Sequence, residues 1–133
     1  MNRFTWQVRV YYEDTDVAKL VYYANYLKFM ERARTEWLRF LGFEQKPLKQ
    51  EYGIVFVVKQ AHIDFLKPAF FDDVLLITVD MVKLGKASIQ LNQQVIRNST
   101  VLCSALIKLA CVNVETLRPQ AIPPILLNLL KYE

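Results

Sequence analysis

The chain has one histidine, two cysteines and three glycines in 133 residues, and each scarcity excludes something. With His62 alone, a Ser–His or Cys–His nucleophilic system has no base in a triad context. Nor does any His/Cys grouping have metal-ligand spacing. Cys103 and Cys111, eight apart in one expected strand, share a face but stand roughly 26 Å apart at about 3.3 Å per residue, so they cannot pair within it. They read as small buried hydrophobes in a reducing compartment, and the chain is expected to be cytoplasmic. No run of about eighteen apolar residues exists, so no transmembrane helix is expected. The N-terminal stretch lacks the apolar core and cleavage site of a signal peptide. The basic residues form no run longer than two, so no nucleic-acid-binding arm is indicated. Internal repeats and low-complexity tracts are also missing.

What is present is apolar. Hydrophobic residues make up 53% of the chain and charged residues 23%, the balance of a folded globular protein. The length fits a single domain, residues 1–133, with some of the apolar surplus to be covered in an oligomer. A net charge of +4 suits an anionic, phosphate-bearing small ligand, among many alternatives.

The periodicity gives an order of elements. Phe4 to Tyr12 alternates as a half-buried strand. From Tyr26 the apolar positions Tyr26, Phe29, Met30, Ala33, Trp37, Phe40 and Leu41 form one stripe of an amphipathic helix. Gly42 stands where a helix C-cap belongs. Glu44 to Gly53, with Pro47, reads as a connecting loop. Ile54 to Leu66 is a long strand, bulged near Gln60, with His62 on the side of Ile54, Phe56 and Val58. Lys67-Pro68-Ala69 breaks the strand, and Phe70-Phe71-Asp72-Asp73 is a turn. Val74 to Leu84, Ala87 to Arg97 and Val101 to Val114 are further strands, joined by a turn at Gly85 and a hairpin at Asn98-Ser99-Thr100. Ile125 to Lys131 forms a short terminal helix behind Pro123-Pro124. This order predicts an α+β fold, a mostly antiparallel sheet with one long helix on its face.

The densest carboxylate cluster, Glu13, Asp14 and Asp16, precedes that helix. Such residues can be no more than solvated turn residues. Alternatively, Asp16, nearest the helix, acts as general base or nucleophile on an electrophilic carbonyl. The N–H groups at the helix start would then hold the developing oxyanion. The spacing does not match a calcium loop. Tyr12, Tyr22, Tyr23 and Tyr26 surround the loop, either as amphipathic rings at the sheet–helix junction or with a hydroxyl lining a pocket. Glu31, off the apolar stripe, is a solvated helix residue or an acid/base at a subunit contact.

The segments Val8-Arg9-Val10-Tyr11-Tyr12-Glu13-Asp14-Thr15-Asp16, Val21-Tyr22, Asn25-Tyr26-Leu27 and Glu31-Arg32-Ala33-Arg34-Thr35-Glu36 resemble the hotdog-fold acyl-CoA thioesterases. The likeness is to the 4-hydroxybenzoyl-CoA thioesterase-like branch that includes the Tol–Pal-associated thioesterase. Phe56-Val57-Val58, Pro68-Ala69, Asp72-Asp73, Ala110-Cys111-Val112, Arg118-Pro119 and Ile122-Pro123 extend it over essentially the whole chain. The resemblance implies a hotdog fold, a curved five-stranded antiparallel sheet wrapped around one long helix. It implies homodimers joined sheet edge to sheet edge, or homotetramers, with sites at the dimer interface. It implies hydrolysis of acyl-CoA thioesters without metal or redox cofactor, with Asp16 as the catalytic aspartate and Tyr12 as a supporting tyrosine. Where this chain has Tyr23 the family commonly has histidine. Where it has Val17-Ala18-Lys19-Leu20 the family has a glycine-rich step.

The expected site therefore comprises Asp16, Tyr12 and Tyr23, with backbone N–H groups at Tyr23 and Ala24 polarising the thioester carbonyl. Lys59, Lys86 and Arg97 are the candidates for coenzyme A phosphates. The alternative is a non-catalytic hotdog protein that binds acyl-CoA, an acyl carrier protein or an envelope-associated partner. A hotdog dehydratase fits less well for want of a placed histidine.

Overall fold

A computed structural model describes residues 3–131. In chain order the elements are β1 (Phe4–Arg9), α1 (Tyr23–Phe40), α2 (Gln45–Tyr52), β2 (Ile54–Phe65), β3 (Val74–Leu84), β4 (Ser88–Arg97), β5 (Thr100–Asn113) and α3 (Pro124–Lys131). The strands form one antiparallel sheet in the order β1-β3-β4-β5-β2. Both edge strands come from the N-terminal half, and the three later strands fill the middle.

The helix α1 lies on one face of this sheet, against β3, β1 and β4. Its stripe is the reason. Phe29, Met30 and Ala33 have no exposed surface, and Tyr26 and Trp37 almost none; a large apolar side chain so buried contributes about 1.5–3 kcal/mol. They meet the inward residues of the sheet, among them Leu75, Ile77, Ile89, Leu91 and Val95. At its last turn the stripe runs past the sheet. Phe40 is 72% exposed, and its ring tilts against Phe4 at the start of the edge strand, centroids 5.6 Å apart. The helix stops at Gly42, φ +95°. The Gly42 N–H bonds to the Arg39 carbonyl and the Phe43 N–H to the Leu38 carbonyl, the paired bonds of a Schellman cap.

Three local readings are corrected. The stretch Glu44 to Gly53 is not a loop but contains α2. Pro47 lies within its first turn, where proline is tolerated. Gly53 closes it in the left-handed region, φ +66°, its N–H bonding to the Lys49 carbonyl; Leu48 buries the helix against the core. The first strand ends at Arg9, because residues Tyr12–Asp14 tighten into a single 3-10 turn. The bulge expected near Gln60 is present, with Val58 paired to Leu109 and Gln60 to Lys108. Lys59 is thus an extra residue, and it reverses the alternation. His62, opposite Leu106, therefore faces away from Ile54, Phe56 and Val58 and is exposed.

Cys103 and Cys111 are both unpaired and buried, on the same face of β5 as Ala105, Ile107 and Leu109. Burial pushes each thiol up to about 11. Asn98 and Ser99 have φ of +47° and +69°, so the β4–β5 hairpin is the two-residue turn with both central residues left-handed. No described helix is long and apolar enough to cross a membrane.

Candidate functional site

The acidic segment folds into a small hairpin against the start of α1. Thr15 and Val21 form an isolated bridge. Inside it the Asp16 N–H bonds to the Leu20 carbonyl and the Lys19 N–H to the Asp16 carbonyl, each 2.9 Å. The Asp16 side chain turns back on its own loop, its Oδ1 accepting the Ala18 N–H at 2.9 Å, a short-range closure that Asp and Asn favour. Lys19 takes φ +66°, the left-handed conformation that glycine adopts without a Cβ penalty. This chain keeps that backbone with lysine in place.

The neighbouring carboxylates have other work. Asp14 Oδ2 accepts the Tyr11 N–H at 2.8 Å and so closes the 3-10 turn. Glu13 is exposed. The Asp14 carbonyl faces the helix and accepts two bonds, from the Tyr22 N–H at 2.9 Å and from Asn25 Nδ2 at 2.8 Å.

The helix start itself is open. Tyr22 is the N-cap and supplies no side-chain hydrogen bond to the first turn. The Asn25 N–H turns back to the Tyr22 carbonyl at 2.8 Å. The N–H groups of Tyr23 and Ala24 are left with no acceptor among the described residues, as expected for an uncapped helix N-terminus.

The other wall comes from far along the chain. The Val21 N–H bonds to the Ala69 carbonyl, Leu20 bridges Phe70, and the Ala69 N–H donates to the Tyr26 hydroxyl at 3.0 Å. These contacts dock the acidic hairpin on the segment after β2. Between them opens a cleft of about 410 Å³ lined by Asp16, Leu20, Val21, Tyr22, Tyr23 and Tyr26, and by Phe65 through Pro68. Tyr23 stands edge-on to Phe65, centroids 6.1 Å apart. Hydrogen bonding to Tyr23 pushes the Tyr22 phenol above its usual range, and burial does the same for Tyr26. The cleft thus brings the Asp16 carboxylate and Tyr23, the first residue of α1, to one largely apolar wall.

The pattern of the thioesterase-like superfamily matches residues 10–130. The chain belongs to this family. It is 44% identical over 122 residues to a Haemophilus influenzae protein named acyl-CoA thioesterase YbgC, covering 92% of this chain and 90% of that one. A Helicobacter pylori protein of the same name is 38% identical over 131 residues, covering 92% of this chain and 96% of its own length. Among solved structures, a probable thioesterase from Bartonella henselae superposes with a TM-score of 0.87 at 34% identity, covering 92% of this chain and all of that one. A gentisyl-coenzyme A thioesterase does so with a TM-score of 0.84 at 30% identity, covering 92% and 98%. The expected five-stranded hotdog arrangement is the observed one.

The remaining sequence candidates are dispersed. Tyr12 does not line the cleft; its ring stacks on Phe71, centroids 3.9 Å apart and planes 8° apart. Arg97 is held by Asp73 Oδ2 at 2.7 Å and the Pro68 carbonyl at 3.2 Å, with its guanidinium over the Phe70 ring. It braces the wall behind the cleft. Lys59 is the bulged residue of edge strand β2. Lys86 lies at the β3–β4 turn beside a separate cavity of about 450 Å³ lined with Met81, Leu84, Leu127 and Lys131. Glu31 borders a smaller cavity of about 200 Å³ with Arg34, Trp37 and Phe56 and accepts the Thr35 hydroxyl at 2.7 Å. Among the described residues no cluster of three or more His, Cys, Asp or Glu could hold a metal ion. Leu66 and Lys67 carry no sequence signal as part of this wall, and Asn25 stands out only within a motif. The one signal for Asn25 is a short amide at the third position of a strongly amphipathic helix.

Proposed function

We infer that this chain hydrolyses acyl-CoA thioesters to free acid and coenzyme A. The observation that carries this reading is Asp16 in one cleft with the open N-terminus of α1, in a chain whose relatives bear the name acyl-CoA thioesterase. The thioester carbonyl accepts hydrogen bonds from the Tyr23 and Ala24 N–H groups. Asp16 then follows one of two routes. As a base it takes a proton from water while the water oxygen adds to the carbonyl carbon; the C–S bond breaks and the thiolate leaves, to be protonated. As a nucleophile its oxygen adds instead, expelling the thiolate and giving a mixed anhydride that water hydrolyses. Both routes balance to acid plus thiol. The Tyr23 phenol supports the carbonyl or the leaving group. Tyr12, stacked on Phe71 outside the cleft, supports only the acidic turn, and Lys59, Lys86 and Arg97 are assigned to the phosphates from outside the cleft lining.

The whole chain acts as one thioesterase domain of the cytoplasm and works as a homodimer or homotetramer. Support for pairing comes from β2, a twelve-residue edge strand with Val58 and Phe65 about half exposed, as is Leu66 just beyond its end. Unprotected edges of that length invite another strand. The test is thiol release by the purified chain from a panel of short, medium, long and aromatic acyl-CoAs. Turnover of at least one supports the reading. Tight acyl-CoA binding with no thiol release from any would make the chain a binding or scaffold protein for acyl-CoA or an acyl carrier protein.

A further inference from the structure

Asp16 and the free N–H groups of Tyr23 and Ala24 belong to different elements, one on the acidic hairpin and the others on the helix. Chemistry that uses both needs them held to within a fraction of an ångström. The Asp14 carbonyl, two residues before Asp16, receives both polar ties from the first helical turn: the Tyr22 N–H at 2.9 Å and Asn25 Nδ2 at 2.8 Å. The Tyr22 tie is backbone and survives any ordinary substitution. The Asn25 tie depends on one side chain.

Asn25 is out of place by local rules. Asparagine is a poor residue inside a helix because its amide competes for backbone groups. Here it is also 7% exposed, on a helix whose other buried positions are apolar, and burying an amide is costly unless it is bonded. Its backbone N–H closes on the Tyr22 carbonyl at 2.8 Å, while its side chain holds the residue that leads into Asp16. Departures from local preference that the rest of the fold maintains concentrate at functional sites.

We propose that Asn25 is a positioning residue for the thioester cleft: its side-chain amide clamps the Asp14 carbonyl and thereby fixes Asp16 against the helix N–H groups. This rests on the thioesterase reading above. It predicts that Asn25→Asp, which matches the shape but presents carboxylate oxygens to a carbonyl, and Asn25→Ala, which removes the reach, both impair the chemical step rather than binding.

The experiment measures kcat and KM per folded molecule for the wild type, Asn25→Asp, Asn25→Ala and Asp16→Asn, with unfolding followed for each. The expected result is a tenfold to hundredfold fall in kcat for both Asn25 variants, with KM within threefold and cooperative unfolding well above the assay temperature. If Asp16→Asn is slow but both Asn25 variants keep kcat within threefold, the clamp is overturned and the thioesterase reading stands. If Asp16→Asn itself turns over like wild type, Asp16 is not the reacting carboxylate and the clamp that acts through it is overturned. Only a wild type that releases no thiol removes the thioesterase reading, and the clamp with it. If both Asn25 variants are unfolded at the assay temperature, Asn25 is a structural residue and the clamp is likewise overturned.

Discussion

Asp16 Oδ1 accepts the Ala18 N–H at 2.9 Å, so one oxygen of the carboxylate shapes its own loop while the group borders the cleft. Asparagine can make the same bond through its amide oxygen. Asp16→Asn is therefore expected to keep the fold, with stability changed by less than about 0.5 kcal/mol, the usual range for surface changes. Denaturant unfolding checks this, and it makes the variant a clean probe of chemistry.

Lys19 holds a left-handed backbone with a Cβ in the way, a conformation that costs a non-glycine residue about 1 kcal/mol or more. The Lys19→Gly variant is expected to be more stable by up to about 1 kcal/mol, the relief being partly offset by glycine's greater freedom when unfolded. A denaturant midpoint that falls instead would show that the lysine side chain contributes contacts of its own.

Tyr23 is the first residue of α1, the helix position where proline is best accepted. Tyr22 before it is already extended, φ −62° and ψ 131°, as a residue preceding proline must be. Tyr23→Pro thus deletes one N–H with little disturbance, and Tyr23→Ala controls for the lost ring. Loss of one oxyanion donor costs about 10²–10³ in kcat. Tyr23→Pro is expected to be slower than Tyr23→Ala by that order, and equal rates would remove the Tyr23 N–H from the mechanism.

Arg97 is bonded to Asp73 and Pro68, with both charged side chains about three-quarters buried. Arg97→Met is expected to cost about 1–3 kcal/mol, the scale for hydrogen bonds to charged groups. If Arg97 also meets phosphate, KM for acyl-CoA rises as well. A raised KM with unchanged stability would assign it to ligand alone.

Burial raises the Cys103 and Cys111 thiols to about 11, above the ordinary value near 8.5–9. Between those values the unfolded chain releases the protons and the folded chain keeps them, so stability falls as pH rises. Below about pH 8 the thiols contribute no pH dependence. Loss from pH 9 to 11 is expected to be shallower in a Cys103→Ala, Cys111→Ala double variant, as read by denaturant midpoints across that range.

Much of the site was legible because it is local. Asp16, Tyr22, Tyr23 and Tyr26 lie within one short stretch, and the helical stripe fixes where the N–H groups open. How the opposite wall meets the helix start was not legible. Phe65 to Pro68 reach the cleft only because Val21 and Leu20 pair with Ala69 and Phe70, contacts that no periodicity reports. The α2 segment was hidden because Pro47 and Gly53 are both loop residues by type and helix punctuation by position. Simple alternation puts His62 on the wrong face because a single bulged residue, Lys59, inverts everything after it. Tyr12 lies near Asp16 in sequence, yet the 3-10 turn directs its ring to Phe71.

The most direct measurement is steady-state thiol release with the best acyl-CoA of the panel, comparing wild type with Asp16→Asn at matched folded concentrations. The expected result is measurable wild-type turnover and a kcat at least a hundredfold lower in the variant. Equal rates in the two proteins would contradict a mechanism in which Asp16 is the reacting carboxylate.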